Sequence, residues 1–250
     1  MPPLALHGFL AATVAGNLLL AGRFLLKGEL AHAYLPWNLF LAWIPMGLAW
    51  VTTRACQSRP PRTWIAALAG SAWLLFFPNA PYLVTDLIHV GALDTEAAAL
   101  WWFDLMTHLL FGITGLMLGY LSLATVQNLV GRFFGSRASW GFACAVLLLA
   151  GFGIYLGRFQ RWNSWDLVSS PVLLLADIAA PFAAPLTHLR VHGFSLLCGG
   201  LLILAYLMCH ALGQSLSSLF TSPRQQAPAA TRLPEPDATQ HRVGNRHEPV

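Results

Sequence analysis

The chain has 250 residues, of which 56% are hydrophobic and only 10% charged, with a mean hydropathy of +0.59 and a formal net charge of +4. A soluble domain carries about a quarter charged residues, so this composition excludes an ordinary soluble globule and points to a polytopic membrane protein whose first partner is the lipid bilayer. The small positive charge asks for no nucleic-acid partner, and there is no two-residue alternation of the outer-membrane barrel kind.

The first apolar run is Pro3–Gly22. No Lys or Arg precedes Arg23, so it reads as a retained helix rather than a cleaved signal peptide. Further runs cover Leu35–Thr53, Thr63–Phe77, Ala98–Val126, Ser139–Gly157 and Gly193–Leu212. All but the third suit the ~20 residues that cross a ~30 Å hydrocarbon core. The expected fold is therefore an all-α membrane bundle of about six transmembrane helices. Residues 171–187 hold a run too short to span, opened by Pro171 and closed by Pro181 and Pro185. They are expected to form an interfacial helix before the sixth span, or a re-entrant piece. Residues 1–220 make the membrane-embedded domain, and the Pro-rich, polar stretch 221–250 reads as a disordered cytoplasmic tail.

With six spans, Arg54, Arg59, Arg62, Arg132, Arg137, Arg224, Arg232, Arg242 and Arg246 share one side. Arg23, Lys27, Arg158, Arg161 and Arg190 share the other. The positive-inside rule then puts both termini in the cytoplasm and the chain in a plasma (inner) membrane as a multi-pass protein. Ten tryptophans suit interfacial anchoring. Cys56, Cys144, Cys198 and Cys209 form no CxxC pair, so neither a disulfide framework nor a zinc site is expected. Gly115-xxx-Gly119 and Gly153-xxx-Gly157 place small residues on single helix faces, the pattern of close helix packing.

The third run is broken. Pro78 and Pro81 lack the N–H groups that the Leu74 and Phe77 carbonyls would take in an unbroken helix. Carbonyls freed in this way cannot face lipid, and Asn79 is placed to cap the segment that restarts. Thr63 to Phe77 is only about 22 Å long at 1.5 Å per residue, so the break falls inside the outer half of the bilayer.

Charge is expensive at such depth and marks function. The span count brings the end of the third helix, the start of the fourth and the end of the fifth to one level. Asp86, His89, Asp104 and Asp166 are the acid–base candidates, with catalysis itself unassigned. Arg158, Arg161, Asn79, Tyr82 and Asn163 are the anion- or substrate-binding candidates, since two guanidinium forks three residues apart suit a phosphate or a lipid headgroup. The structural alternative is a buried charge network that fixes helix packing. Asp86, His89, Asp104 and His108 match no metal motif, so no metal and no cofactor is expected. Trp162 and Trp165 read as interfacial anchors or as an aromatic lid.

Three stretches carry a resemblance: Phe77-Pro78-Asn79-Ala80-Pro81-Tyr82 with Thr85-Asp86-Leu87-Ile88-His89; Trp102-Phe103-Asp104; and Gly153-Ile154-Tyr155-Leu156-Gly157-Arg158-Phe159 with Arg161-Trp162-Asn163-Ser164-Trp165-Asp166. Over roughly residues 35–210 the chain resembles a family of bacterial multi-pass membrane proteins known as domain of unknown function 1361. The resemblance implies a location and no chemistry. The function expected is an integral membrane protein of unassigned activity with an outward-facing polar and charged pocket built from helices three, four and five. The alternatives are a membrane-embedded enzyme acting on a lipid or lipid-linked anionic headgroup, a small transporter, or a scaffold. No GxSxG is present to supply a nucleophile.

Overall fold

A computed structural model describes residues 3–28, 32–91 and 98–220. The tail at 221–250 and the loop carboxylates Glu29, Asp94 and Glu96 lie outside the described residues. The elements are α1 (Pro3–Lys27), α2 (Tyr34–Gln57), α3 (Thr63–Phe76), α4 (Asn79–Tyr82), a 3₁₀ segment (Leu83–Val90), α5 (Ala98–Phe159), α6 (Asp166–Ser169), α7 (Pro171–Ala183) and α8 (Leu189–Phe220). No strand occurs among the described residues. Five helical stretches are long and apolar enough to cross a membrane.

One of those five holds two of the expected spans. A straight helix as long as α5 would reach roughly 90 Å at 1.5 Å per residue, about three times the thickness of a hydrocarbon core. Gly135 interrupts it at φ 84° and ψ 170°. That conformation is open to glycine and strained for other residues. The chain folds back there: a Cβ on Gly131 would stand 3.5 Å from the Ser139 Cβ. Residues 98–134 and 136–159 are thus two antiparallel arms of a hairpin.

The main core forms where α3, both arms and α8 meet. Trp73 and Phe77 pack with Tyr120, Leu123, Ala143, Leu147, Ile154 and Leu202. The Tyr120 hydroxyl donates to the Leu202 carbonyl at 2.8 Å, and the Tyr206 hydroxyl to Gln127 Oε1 at 2.6 Å. A second cluster joins Leu35, Leu39 and Ala42 of α2 to Ala80, Leu83, Phe111 and Leu118. Outward positions are apolar as well: Leu18, Leu25, Leu196, Leu201 and Met208 are all more than half exposed. Helices that are hydrophobic on every face are those whose solvent is lipid. Contacts define one compact unit over Met1–Met208; the second unit starts at Cys209, and its described part is the end of α8.

The short helix before the last span is present as α7, with Pro171 at its first position and Pro181 inside it. Val172, Leu173, Leu175 and Phe182 point outward, and Leu174 is buried.

The glycines explain how the broken segment is housed. A Cβ on Gly115 would stand 2.7 Å from the Ala80 carbonyl oxygen, and one on Gly119 3.0 Å from the Ala80 Cβ. On the other arm, a Cβ on Gly153 would stand 2.6 Å from the Pro78 ring. Residues 78–83 therefore lie in a groove that only hydrogen side chains leave open. Gly151 and Gly199 play the same part where the second arm meets α8: a Cβ on Gly151 would strike the backbone at Ser195 and Gly199.

Candidate functional site

The helix break is closed by protein groups. The Phe77 carbonyl, deprived of Pro81, accepts the Ala80 N–H at 3.2 Å. Asn79 Nδ2 donates to the Phe76 carbonyl at 3.0 Å and to Ser164 Oγ at 2.9 Å. Ser164 Oγ in turn donates to the Leu75 carbonyl at 3.3 Å. Asn79 was expected to cap the segment after the break; instead α4 has no side-chain cap, and the amide reaches back over the end of α3. The physical reason is that the bared acceptors lie behind Asn79, and an amide donates to a carbonyl readily.

Around this break stands a first polar knot. Arg158, near the end of the second arm, donates from Nη2 to Asp86 Oδ1 at 2.6 Å and to Thr85 Oγ1 at 2.6 Å. Its Nε reaches Thr85 Oγ1 at 3.2 Å, and Nη1 meets His89 Nε2 at 2.9 Å. A guanidinium only donates, so His89 Nε2 is the acceptor there. The same guanidinium lies 4.4 Å over the Tyr82 ring, a cation–π contact. Asp86 is almost wholly buried, and its second oxygen accepts Asn38 Nδ2 at 2.9 Å.

A second knot holds Asp104. Arg23 of α1 grips its two oxygens from Nε at 2.7 Å and Nη2 at 3.2 Å, a bidentate pair. His32 Nε2 stands 3.3 Å from the same carboxylate without hydrogen-bond geometry. His108 Nδ1 lies 2.7 Å from the Asp104 carbonyl, so Nδ1 carries the proton and Nε2 accepts the Tyr34 hydroxyl at 2.9 Å. The knots adjoin through Tyr34, whose ring meets His89 edge-to-face at 5.4 Å.

The sequence-derived residues divide accordingly. Asn79, Tyr82, Asp86, His89 and Arg158 are brought together. Asp104 faces Arg23, a residue that sequence alone assigns to a loop. Arg161 is exposed and left-handed at φ 62°, beyond the end of the helix that carries Arg158. The turn it makes returns the Trp162 N–H to the Leu156 carbonyl at 3.2 Å. Asp166 closes its own turn, accepting the Asn163 N–H at 2.7 Å and the Ser169 hydroxyl at 2.9 Å. The Asn163 N–H, with Ser169 helping, holds the Asp166 carboxyl below its ordinary value. Trp162 donates to Asp177 at 2.8 Å, tying this loop to α7, and Trp165 meets the exposed Trp37 edge-to-face at 6.2 Å.

Tyr34, Asn38, Arg23 and His32 join the site without having been singled out. Tyr34 and Asn38 are four apart and share a helix face, which is the one signal that points to them. Among the described residues no group of His, Cys, Asp or Glu is arranged to hold a metal ion.

Beside the first knot lies a cavity of about 510 Å³, within the ~300–1,000 Å³ of ordinary ligand sites. Its walls come from α2 (Asn38, Leu41), α3 (Ser71, Leu74, Leu75), the break (Pro78, Asn79, Tyr82), the second arm (Leu149, Phe152, Gly153, Leu156), the following loop (Trp162, Asn163, Ser164) and α7 (Leu174, Ile178). The lining is mainly apolar. Leu74 and Leu149 are 40% and 51% exposed, and both lie in the apolar lengths of their helices. The cavity therefore opens sideways between α3 and the second arm.

Residues 37–205, well over half of the chain, match the family described as "Protein of unknown function (DUF1361)". No curated protein and no solved structure matches.

Proposed function

The chain belongs to the DUF1361 family, and from that footing we propose that it is a multi-pass protein of a bacterial plasma membrane, with both termini cytoplasmic, that binds a membrane amphiphile in the outward-facing cavity at its broken third helix. The observation that carries the reading is the cavity itself. It is about 510 Å³, mainly apolar, open sideways between two apolar helices, and edged at one end by amides and hydroxyls. A chain drawn from the bilayer fits such walls, and a polar head fits such an edge.

Binding is favoured over headgroup chemistry because the acids are occupied. Asp86 holds Arg158 and Asn38, Asp104 holds Arg23, and Asp166 holds its own turn. A general base needs an atom within reach of the proton it takes. Binding is favoured over transport because the bundle core beside the cavity is packed with Trp73, Tyr120, Leu123, Ala143 and Leu147.

Protein purified from its native membrane should carry a lipid through delipidation, seen by native mass spectrometry. Leu149→Trp, which fills the cavity from an exposed position, should lose it. An unchanged lipid load in that variant removes the reading.

A further inference from the structure

The hydrogen-bonding groups that edge the cavity carry information about the head they receive. Asn79 spends both amide hydrogens inside the protein, on the Phe76 carbonyl and on Ser164. The Phe76 carbonyl fixes which way the amide points, since it can only accept and so must face the amide's NH2 and not its oxygen. What remains for a ligand is Oδ1, an acceptor. Asn38 is fixed likewise, because its amide nitrogen must face the Asp86 carboxylate; its Oδ1 has no partner among the described hydrogen bonds. Ser164 has given its hydrogen to Leu75.

Charge points the same way. Among the described residues no cation lines the cavity. The guanidinium that lies on the Tyr82 wall, Arg158, has all three nitrogens engaged and is neutralised by a buried carboxylate. An anionic head in this place would meet the Asn38 and Asn79 amide oxygens and the Asp86 pair, with only neutral hydroxyls such as those of Tyr82 and Ser71 to replace its hydration and no cation to balance its charge. Buried charge of that kind is strongly disfavoured.

Resting on the reading that the cavity takes a membrane amphiphile, we infer that its ligand is a lipid with an uncharged, hydrogen-bond-donating head, a hydroxyl-bearing neutral lipid and not a phosphate-headed one. The head lies against Asn38, Asn79 and Tyr82, and the chain runs between Leu74, Leu149 and Phe152.

The test compares two photoreactive probes with identical diazirine-bearing acyl chains, diacylglycerol and phosphatidic acid. Each is offered at equal concentration to the full chain in phosphatidylcholine vesicles, and labelled peptides are mapped by mass spectrometry. Diacylglycerol should label residues 71–82 and 146–157 at least about fivefold to tenfold more than phosphatidic acid, the ratio that one net head hydrogen bond supplies by itself. Ser71→Trp and Leu149→Trp, two independent fillings from exposed wall positions, should each abolish the preference, while Leu201→Trp on the lipid-facing side of α8 should leave it. Tyr82→Phe keeps the ring under Arg158, removes the hydroxyl alone, and should lower diacylglycerol labelling. Equal or stronger labelling by phosphatidic acid at the same peptides overturns the choice of head and leaves the cavity reading standing. Labelling by both probes that neither filling variant alters overturns the cavity reading as well.

Discussion

Arg158 and Asp86 stand 72 positions apart in the chain and 2.6 Å apart in space. The pair joins the end of the second arm of α5 to the 3₁₀ segment that follows the helix break. Both side chains are largely withdrawn from solvent, at 11% and 2% exposure. Thr85, His89, Asn38 and the Tyr82 ring complete the shell. A pair so enclosed specifies where two helices meet, because either charge alone would be stranded in an apolar bundle.

Removing one member should therefore cost far more than removing both. Asp86→Asn and Arg158→Gln should each destabilise the protein by about 3–5 kcal/mol, as loss of one partner does in buried pairs. The double variant Asp86→Leu/Arg158→Met should recover much of that loss. Thermal unfolding in detergent measures it. Single variants that melt like the parent would show that the knot does not hold the helices.

The groove around the broken segment makes a second claim. A methyl group at Gly115 would meet the Ala80 carbonyl oxygen at 2.7 Å, and that atom is backbone. Gly115→Ala should destabilise by roughly 1–3 kcal/mol through overpacking. Gly141→Ala, where nothing lies within 4 Å, should be neutral or slightly stabilising, since alanine is the better helix former. Equal melting of the two variants would contradict the groove.

Orientation is tested by two cysteines in a background lacking Cys56, Cys144, Cys198 and Cys209. Both target side chains, Arg161 and Arg59, are exposed. Arg161→Cys should react in intact cells with a membrane-impermeant thiol reagent, and Arg59→Cys only after lysis. The reverse pattern would invert the topology.

Much of this arrangement is legible in the sequence, for a definite reason. Counting apolar runs decides which helix ends share a side. Proline at 78 and 81 announces a break, and so Asn79, Tyr82, Asp86 and Arg158 are expected at one level, where they are found. The hairpin at Gly135 is legible too, as the gap between two runs. What escapes notice has less signature. Arg161 looks like a second fork on Arg158's helix, because a left-handed arginine carries no mark of the kind glycine or asparagine does. Tyr34 and Asn38 sit at the start of an apolar helix, where polar residues ordinarily mean an interface. The Arg23–Asp104 pair depends on how α1 leans on the first arm, a long-range contact that local pattern does not encode. The cavity is a space that side chains leave unfilled, so no residue type announces it.

Ser164 lends the break a partner that is synthesised late. It serves the Leu75 carbonyl from 89 positions downstream and Asn79 from 85. A chain made from its N-terminus inserts the region of the prolines long before this hydroxyl exists, and each unmatched backbone group in hydrocarbon costs several kcal/mol. The two Ser164 contacts of the break can therefore form only after the loop that follows the second arm of α5 has been synthesised.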